Sequence, residues 1–260
     1  MRKIIFWLFG ILLFLVPLIL WPYTSELFEF NKIVSVYILT TLIAGFWIIR
    51  MIVERKFIFR RTILDIPLII FLGSQVVSTL LSIDSTTSFL GYYSRFNGGL
   101  LSIICYLVLY WALVSNIESK EMGKLIKVTL ISSVIVSIYG VLERLGIDKG
   151  IWQQDVQSRV FSTLGQPNWL AAWIVALLPI AWFEAVKENI NKISFRSFMP
   201  YLLSGLFFTV LLFTGSRSGL VGFGVTEVIF WGILFIKYKF KFIKPLWDVI
   251  CDGGDGDGSF

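Results

Sequence analysis

Residues 33–49 read IVSVYILTTLIAGFWII, a run that contains no charged side chain. A helix that crosses a membrane needs about 20 predominantly apolar residues, and somewhat fewer suffice when flanking side chains reach toward water. Segments of this kind recur along the whole chain. They predict an all-α, polytopic transmembrane helical bundle of about eight spans, at 4–21, 33–49, 63–81, 100–115, 125–142, 168–183, 200–213 and 218–236.

The composition agrees with a membrane protein and excludes a soluble domain. Hydrophobic residues make up 57% of the 260 residues, charged residues make up 15%, and the mean hydropathy is +0.81. Apolar runs of this length cannot all be buried in one core of this size. The net charge of +6 does not indicate nucleic-acid binding, because the basic residues lie in short segments between apolar runs. Cys105 and Cys251 form neither a disulfide framework nor a metal-ligand spacing, and we expect no metal and no cofactor.

Lysine and arginine collect in alternate connecting segments, and this asymmetry predicts the orientation of the chain. Cytoplasmic loops of membrane proteins carry an excess of these residues. The basic segments are 2–3, 50–61, 120–127, 187–196 and 237–244. The other side holds only Lys32, Arg95, Arg144, Lys149, Arg159 and Arg217. Both termini are therefore predicted to be cytoplasmic, and the long loops 82–99 and 143–167 are predicted to face outward.

The first outward loop has the residue types of a sugar-binding surface. Residues 91–99 read GYYSRFNGG, in which aromatic faces, hydrogen-bonding groups and one cation lie close together. The candidate glycan contacts are Tyr92, Tyr93, Arg95 and Asn97. The same tract also fits an aromatic belt at the membrane interface with glycines in a turn, and both interpretations stay open.

Two arginines lie at the predicted outer boundary of the membrane, each beside a turn that leads into a helix. Residues 159–168 read RVFSTLGQPN, and residues 214–219 read TGSRSG. A helix N-terminus tolerates proline and presents unpaired N–H groups, so it favours an anion. Two arginines can hold a pyrophosphate with paired hydrogen bonds. The candidate phosphate ligands are Arg159 and Arg217, and the residues expected to shape the site are Gly165, Pro167, Asn168, Ser216, Ser218 and Gly219.

A second interpretation of these arginines is that each one reaches lipid phosphate while Pro, Gly and Ser only punctuate the loops. An arginine near hydrocarbon is costly unless it has a partner, and the occurrence of two on the same predicted face favours a functional site. A lipid-linked sugar diphosphate at the outer leaflet would supply both the anion and a long apolar tail.

The ordered pair of motifs resembles a known family. Arg159 with FSTLGQPN at 161–168, followed by FTGSRSG at 213–219, is similar to the paired signatures of the O-antigen ligase and O-antigen polymerase superfamily. The likeness covers roughly residues 80–236. It implies a bacterial membrane glycosyltransferase that takes a glycan from undecaprenyl pyrophosphate on the outer face of the inner membrane. The acceptor in this family is lipid A core of lipopolysaccharide, another glycan or a protein, and the resemblance assigns pyrophosphate binding to Arg159 and Arg217.

The family also implies a histidine base in a large periplasmic loop after a further span, and this chain contains no histidine. We therefore expect residues 1–247 to be a truncated transmembrane domain and residues 248–260 to be a disordered or non-native tail. The tail, which ends in CDGGDGDGSF, lacks the final glutamate of a calcium-binding loop.

Four carboxylates carry separate expectations. Glu143 and Asp155, in the second outward loop, are candidate catalytic bases or else plain solvated charges. Asp65 is expected near the cytoplasmic end of its helix, where neighbouring arginines or water satisfy it. Glu227 is expected to face the interior of the bundle, or to pair with a cation or a hydroxyl.

Two rival functions remain open on the sequence. A transporter or flippase would move a lipid-linked saccharide without making bonds, and it should carry cations along a path through the membrane rather than at its outer edge. A catalytically inactive membrane protein that binds a lipid pyrophosphate would agree with the missing histidine.

Overall fold

The protein is described from a computed structural model. The described residues are 1–238 without 22, 25, 93–94, 153–154 and 190–194, and only the backbone is described at 187–189, 195–198 and 237–238. Tyr93 and the expected tail at 248–260 therefore lie outside the described residues. Within them, the helices are α1 (Arg2–Leu15), α2 (Glu29–Glu54), α3 (Asp65–Leu80), α4 (Ser85–Leu90), α5 (Leu100–Asn116), α6 (Ser119–Arg144), α7 (Pro167–Asn189), α8 (Phe195–Phe213) and α9 (Arg217–Tyr238).

The all-α prediction is confirmed, and each predicted apolar segment coincides with a helix. Four helical stretches are long and apolar enough to cross a membrane. They are α2, α6, the Pro167–Val186 part of α7 and the Arg217–Ile236 part of α9. Shorter apolar helices are α3, α5 and the Met199–Phe213 part of α8.

Large apolar side chains are exposed along several of these helices. Ile66 in α3 is 71% exposed and Val228 in α9 is 75% exposed, and α3 buries none of its side chains. Soluble monomers rarely leave extended apolar patches open to water. In a bilayer the same surface faces hydrocarbon, while the helix satisfies its own backbone groups. Four helical stretches are therefore long enough to cross a membrane, and the exposed apolar side chains are those expected of a membrane protein.

The first helix is shorter than the predicted span 4–21. It ends at Leu15, and a 3₁₀ turn at Val16–Leu18 follows before Ile19 adopts an extended conformation. The physical reason is Pro17, which has no N–H to continue the helix and whose ring clashes with the carbonyl four residues earlier.

A short helix, α4, lies within residues 82–99, the loop predicted to face outward, where apolar periodicity does not predict a helix. Its N-cap is Asp84, whose carboxylate accepts hydrogen bonds from the N–H groups of Thr86 at 3.0 Å and Thr87 at 3.1 Å. The hydroxyl and the N–H of Thr87 donate hydrogen bonds to this carboxylate, and the N–H of Thr86 donates another. These bonds hold the pKa of Asp84 below its ordinary value. Local capping chemistry, rather than an apolar face, therefore specifies this helix.

The chain divides into two compact units, of which the first contains Met1–Val136 and Thr163–Gly165. Helices α1, α2 and α5 pack together in this unit, and α3 and α4 pack against α5. Its core consists of apolar side chains from the helices and from the segment between α5 and α6, namely Ile5, Phe9, Ile43, Ala112, Ile117 and Leu125.

The second unit contains Ser137–Ser162 and the described residues from Gln166 onward. Helix α7 packs against both α8 and α9, so it is the central helix of this unit. The side chains buried along α7 and α8 are Leu170, Ala171, Ile174, Leu178, Phe207 and Leu211. Arg159 and Arg217 both lie in this unit, the first in the loop before α7 and the second at the N-terminus of α9.

Candidate functional site

The candidate site begins at the N-terminus of α7. Pro167 is the first residue of this helix and is buried, and Asn168 follows on an exposed position. The carbonyl of Gln166 accepts the N–H of Leu170 at 3.1 Å, which closes the first helical turn. The missing N–H of proline costs nothing at this position, because no intrahelical acceptor exists for it.

Arg159 is held at this terminus by two neutral groups. Its Nε donates to the carbonyl of Thr214 at 3.1 Å, and its Nη2 donates to Oδ1 of Asn168 at 3.2 Å. The neighbouring N–H of Val160 donates to the carbonyl of Phe213 at 3.1 Å, so the two motif segments run side by side. Neither acceptor of the guanidinium carries a formal charge. The side chain is therefore positioned while its positive charge stays available to an anion.

The second motif forms the start of α9. Ser216, which is 1% exposed, directly precedes the helix, and its Oγ accepts the N–H of Gly219 at 3.1 Å. This is the hydrogen bond of an N-cap. Arg217, the first residue of α9, is exposed and has no ion-pair partner among the described residues. Arg217 therefore lies at a capped helix N-terminus with its charge uncompensated.

Two glycines of this motif lie where a larger residue would be strained. A Cβ on Gly219 would be 2.6 Å from Cβ of Ala171, so α7 and α9 approach closely at this level. Gly215 has φ +59°, in the left-handed region, and the position of its missing Cβ is 3.6 Å from Cγ of Arg159. Gly219 thus allows the close helix contact, and Gly215 allows the left-handed turn before α9.

A groove of about 500 Å³ lies between α7 and α9, beside the two helix N-termini. Asn168 and Ser218 form a polar part of its lining. The remaining wall is mostly apolar and includes Ala172, Val175, Ala176, Pro179 and Gly222. Asn168 therefore belongs both to the contacts of Arg159 and to the lining of the groove.

Glu143 is fully buried, and the expectation that it is a solvated charge is wrong. Its Oε2 accepts the N–H groups of Phe161 at 3.1 Å and Ser162 at 2.7 Å. Ser162 has φ +53°, an uncommon value for a residue with a side chain. These bonds hold the segment that follows Arg159. The observed contacts of Glu143 are those of a positioning residue, and the sequence contains no local signal for them.

Glu143 lies in the last turn of α6, and not in the loop 143–167 where the sequence predicts it. Asp155 does lie in the loop after α6, where it is exposed and shapes the turn that precedes Arg159. Its Oδ1 accepts the N–H of Gln157 at 3.0 Å, and its carbonyl accepts the hydroxyl of Ser158 at 2.9 Å. Asp148, which the sequence reading did not single out, is buried and accepts hydrogen bonds from Tyr139 at 2.9 Å and Trp152 at 2.5 Å. The loop between α6 and α7 is therefore tied to α6 by buried polar contacts.

Two carboxylates within helices have tryptophan partners. Glu227 accepts the indole N–H groups of Trp182 at 3.0 Å and Trp231 at 2.7 Å, so its partners among the described side chains are indoles in place of the expected cation or hydroxyl. Asp65 accepts the N–H of Thr62 at 2.8 Å and the indole N–H of Trp111 at 3.1 Å, in place of the expected arginines. Both contacts stabilise helix packing.

Gly165 belongs to the first unit and has φ +78°. A Cβ there would be 2.4 Å from Cγ of Phe28, so the turn requires glycine both for its conformation and for space. Lys32 secures the same segment, because its Nζ donates to the carbonyl of Thr163 at 2.7 Å.

The candidate glycan contacts also belong to the first unit. Tyr92 and Arg95 form an isolated bridge, in which the N–H of Arg95 donates to the carbonyl of Tyr92 at 2.7 Å. The N–H of Asn97 donates to Glu29 at 3.1 Å, which ties this turn to α2. Tyr92 is 68% exposed. The turn therefore presents an aromatic face from an anchored backbone.

Comparisons of the chain with protein-family models, with curated proteins and with solved structures found no match. The resemblance to the O-antigen ligase and polymerase superfamily thus rests on the two motifs alone and stays a prediction.

Proposed function

We propose that this protein binds a polyprenyl-pyrophosphate-linked glycan at the outer face of the bacterial cytoplasmic membrane and serves its transfer to an acceptor. The proposal includes a multi-pass topology of about eight spans with both termini cytoplasmic. The acceptor would be a lipid, a glycan or a protein. The arginines would bind the donor, and the surrounding membrane lipid would solvate its tail.

The observation that carries this proposal is the position of Asn168. It accepts a hydrogen bond from Arg159 at 3.2 Å and also lines the groove between α7 and α9. Asn168 thus connects a cation to an apolar groove. A lipid pyrophosphate is built in the same way, because its charged head is joined directly to an apolar chain. Few soluble anions would gain anything from the groove.

The electrostatics support a role in transfer as well as in binding. When the glycan leaves, negative charge develops on the pyrophosphate, and positioned cations stabilise it. Arg159 is held by neutral acceptors, and Arg217 lies at the capped N-terminus of α9, whose dipole also favours an anion. Both features favour the departing pyrophosphate more strongly than the intact donor.

The groove lining gives a reason to prefer this function to that of a flippase. No charged side chain belongs to the lining of the groove within the described residues. A path that moves a pyrophosphate through the membrane needs polar or charged partners along its length. The cations here lie at one end of the groove.

A binding experiment tests the donor site. The purified full chain in detergent is titrated with undecaprenyl pyrophosphate, undecaprenyl phosphate and undecaprenol. We expect Arg159→Ala and Arg217→Ala each to weaken pyrophosphate binding by roughly 10- to 100-fold, since hydrogen bonds to charged groups contribute about 1.5–3 kcal/mol. Lys149→Ala removes an exposed cation from the same outer loop and should change nothing. Equal losses in all three variants would contradict the proposal.

A transfer assay separates the proposed function from its rivals. Polyprenyl-pyrophosphate glycan and membrane acceptors are supplied together, and labelled glycan on the acceptor is measured. Transfer that is lost in Arg217→Ala supports the transferase. Binding without transfer would indicate an inactive lipid-pyrophosphate binder, and movement of the donor across vesicles without transfer would indicate a flippase.

A further inference from the structure

A second cavity, of about 420 Å³ and mainly polar in its lining, lies in the first unit, far along the chain from the arginine motifs. It is formed by the start of α1, the last turn of α2, the loop that follows α2, and the junction between α5 and α6. Its lining includes Arg2, Arg50, Arg60, Asn116, Glu118 and Lys120. We call it the basic pocket.

The basic pocket is built on a buried amide. Asn116 is 3% exposed, its Nδ2 donates to the carbonyl of Ala112 at 2.8 Å, and its Oδ1 accepts Nη1 of Arg50 at 2.9 Å. The orientation of the amide is thus fixed from one side by the helix. Arg50 is fixed in turn, because a buried amide with both of its groups engaged cannot rotate without losing a bond.

The loop that carries Arg60 is anchored as well. The N–H of Arg60 donates to Oγ of Ser115 at 3.1 Å, and the indole of Trp47 donates to the carbonyl of Ile58 at 2.9 Å. Phe59, between them, stacks on Trp47 with ring centroids 6.4 Å apart. Arg60 is therefore presented from a fixed backbone, which lowers the entropy lost when it binds a ligand.

The charges of the pocket do not balance. Arg2 forms ion pairs with Glu118 and Glu121, and Arg50 forms an ion pair with Glu54 at 2.8 Å. Arg60 and Lys120 are both exposed, and neither has an ion-pair partner in the described part of the chain. The four cations of the pocket thus face three paired carboxylates, which leaves a net charge of about +1, and the cations without an ion-pair partner among the described residues are Arg60 and Lys120.

The first turn of α6 supplies backbone donors beside these cations, and the carboxylates at the same helix start, Glu118 and Glu121, are both paired with Arg2. Ser119 and Lys120 line the pocket and are the first two residues of this helix. The first N–H groups of a helix have no acceptor within it, and the helix dipole places partial positive charge there. Phosphate binds well where such N–H groups meet arginine side chains.

We propose that the basic pocket binds a phosphate group, as part of an anionic lipid headgroup or of a soluble phosphate compound. Arg60 and Lys120 contact the phosphate, Arg50 is held ready by Asn116, and the first turn of α6 supplies backbone donors. Basic pockets between membrane helices bind anionic headgroups by the same chemistry. This site is independent of the donor site at the N-terminus of α7, and neither proposal requires the other.

The test compares two double variants of equal charge. Arg60→Gln with Lys120→Gln removes two cations that line the pocket. Arg61→Gln with Lys124→Gln removes two exposed cations of the same segments that do not line it. The full chain in neutral detergent is titrated with phosphatidylglycerol, with phosphatidylcholine of the same acyl chains, and with inorganic phosphate at constant ionic strength. Native mass spectrometry counts bound lipid, and tryptophan fluorescence follows thermal unfolding.

We expect phosphatidylglycerol to bind at one saturable site and phosphatidylcholine not to compete for it. The pocket variant should lose roughly 25-fold in affinity, about fivefold for each cation near the surface. The control variant should keep its affinity. Protection by phosphatidylglycerol alone identifies a lipid headgroup, and protection by inorganic phosphate as well identifies a soluble phosphate ligand.

Three outcomes would overturn the proposal. One is equal loss of affinity in both double variants, which would mean that only overall charge matters. The second is equal retention of phosphatidylglycerol and phosphatidylcholine. The third is a pocket variant that unfolds at the same temperature as the parent protein and still binds phosphatidylglycerol with unchanged affinity.

Discussion

The two clusters of arginines in this protein differ in what holds them. In the basic pocket, Arg2 and Arg50 are paired with the carboxylates of Glu118 and Glu54. At the N-terminus of α7, Arg159 is held by a backbone carbonyl and a side-chain amide. A carboxylate partner cancels most of the field of a cation, whereas a neutral acceptor fixes its geometry and leaves its charge.

Arginines whose charge is not cancelled by a carboxylate are the ones available to bind an anionic ligand. In the basic pocket the paired arginines mostly build the wall, and Arg60 and Lys120 are the cations that we propose contact a phosphate. In the α7 region the positioned arginine is itself the charge that we propose binds the donor. The same residue type is thus paired with carboxylates in one region and held by neutral acceptors in the other, and only the second arrangement leaves its charge to a ligand.

The largest expected effect comes from removing the support of the Arg159 segment. Glu143→Ala leaves two buried N–H groups without an acceptor, each at a cost of about 1–3 kcal/mol, so we expect a loss of about 2–5 kcal/mol in the free energy of unfolding. Titration of the detergent-solubilised chain with SDS measures it. Glu143→Gln keeps an acceptor oxygen and should lose less than half as much. A Glu143→Ala variant no less stable than Asp155→Ala, which alters an exposed carboxylate, would contradict this role.

The contact between α7 and α9 should be the next most sensitive. Gly219→Ala places a methyl group 2.6 Å from Cβ of Ala171, and we expect a loss of about 1–3 kcal/mol from overpacking. Gly224→Ala is the matched control in the same helix, because nothing lies within 4 Å of its added Cβ. Alanine has the higher helix propensity, so the control should be neutral or slightly stabilising. Similar losses in both variants, in the same SDS titration, would show that the close approach is unimportant.

Asn168→Asp tests the comparison directly, because it gives Arg159 the kind of partner that the basic pocket uses. The new carboxylate would pair with the guanidinium and repel an incoming pyrophosphate. The repulsion between two unit charges about 4 Å apart is about 1 kcal/mol in water and about 4 kcal/mol near a protein surface. We therefore expect about a tenfold loss of affinity for undecaprenyl pyrophosphate, which corresponds to an energy between these two values. Asn168→Ala removes the hydrogen bond without adding charge and should lose about threefold, as for a single neutral contact. Unchanged affinity in Asn168→Asp would remove the distinction between neutral and charged partners.

The smallest expected effect comes from removing a carboxylate partner of an arginine in the basic pocket, which is the reverse of adding one beside Arg159. Glu118→Gln removes one ion-pair partner of Arg2, and we expect affinity for phosphatidylglycerol to rise about fivefold. Glu118→Asp keeps the charge and should leave the affinity unchanged. Native mass spectrometry measures both. An equal rise in the two variants would mean that side-chain length, and not charge, controls binding.

Much of the helical pattern was predictable, because long apolar runs must be hidden from water and helices satisfy their own backbone. The ends were less predictable. Pro17 shortens α1, and α4 forms through the N-cap of Asp84 instead of an apolar face. Both are local effects that a hydropathy window does not register.

The candidate site divides in the same way. The turn at Pro167 and the helix start after Ser216 are visible in the sequence, since proline and N-cap residues act on the backbone beside them. The contact of Arg159 with Thr214 and the burial of Glu143 are not visible, because each joins residues from different segments. No residue type by itself reveals which carboxylate becomes buried.

By itself, the sequence determined that the chain is helical, that its helices have membrane-compatible surfaces, and that two arginines lie beside helix N-termini. Periodicity, hydropathy and capping act within a few residues, so they can be read along the chain. Only the tertiary structure decided which acceptors hold Arg159, that α7 and α9 enclose a groove, and that Arg60 and Lys120 line a walled pocket. These features depend on packing between segments distant in sequence, and packing is specified by the whole set of side chains and by no single stretch.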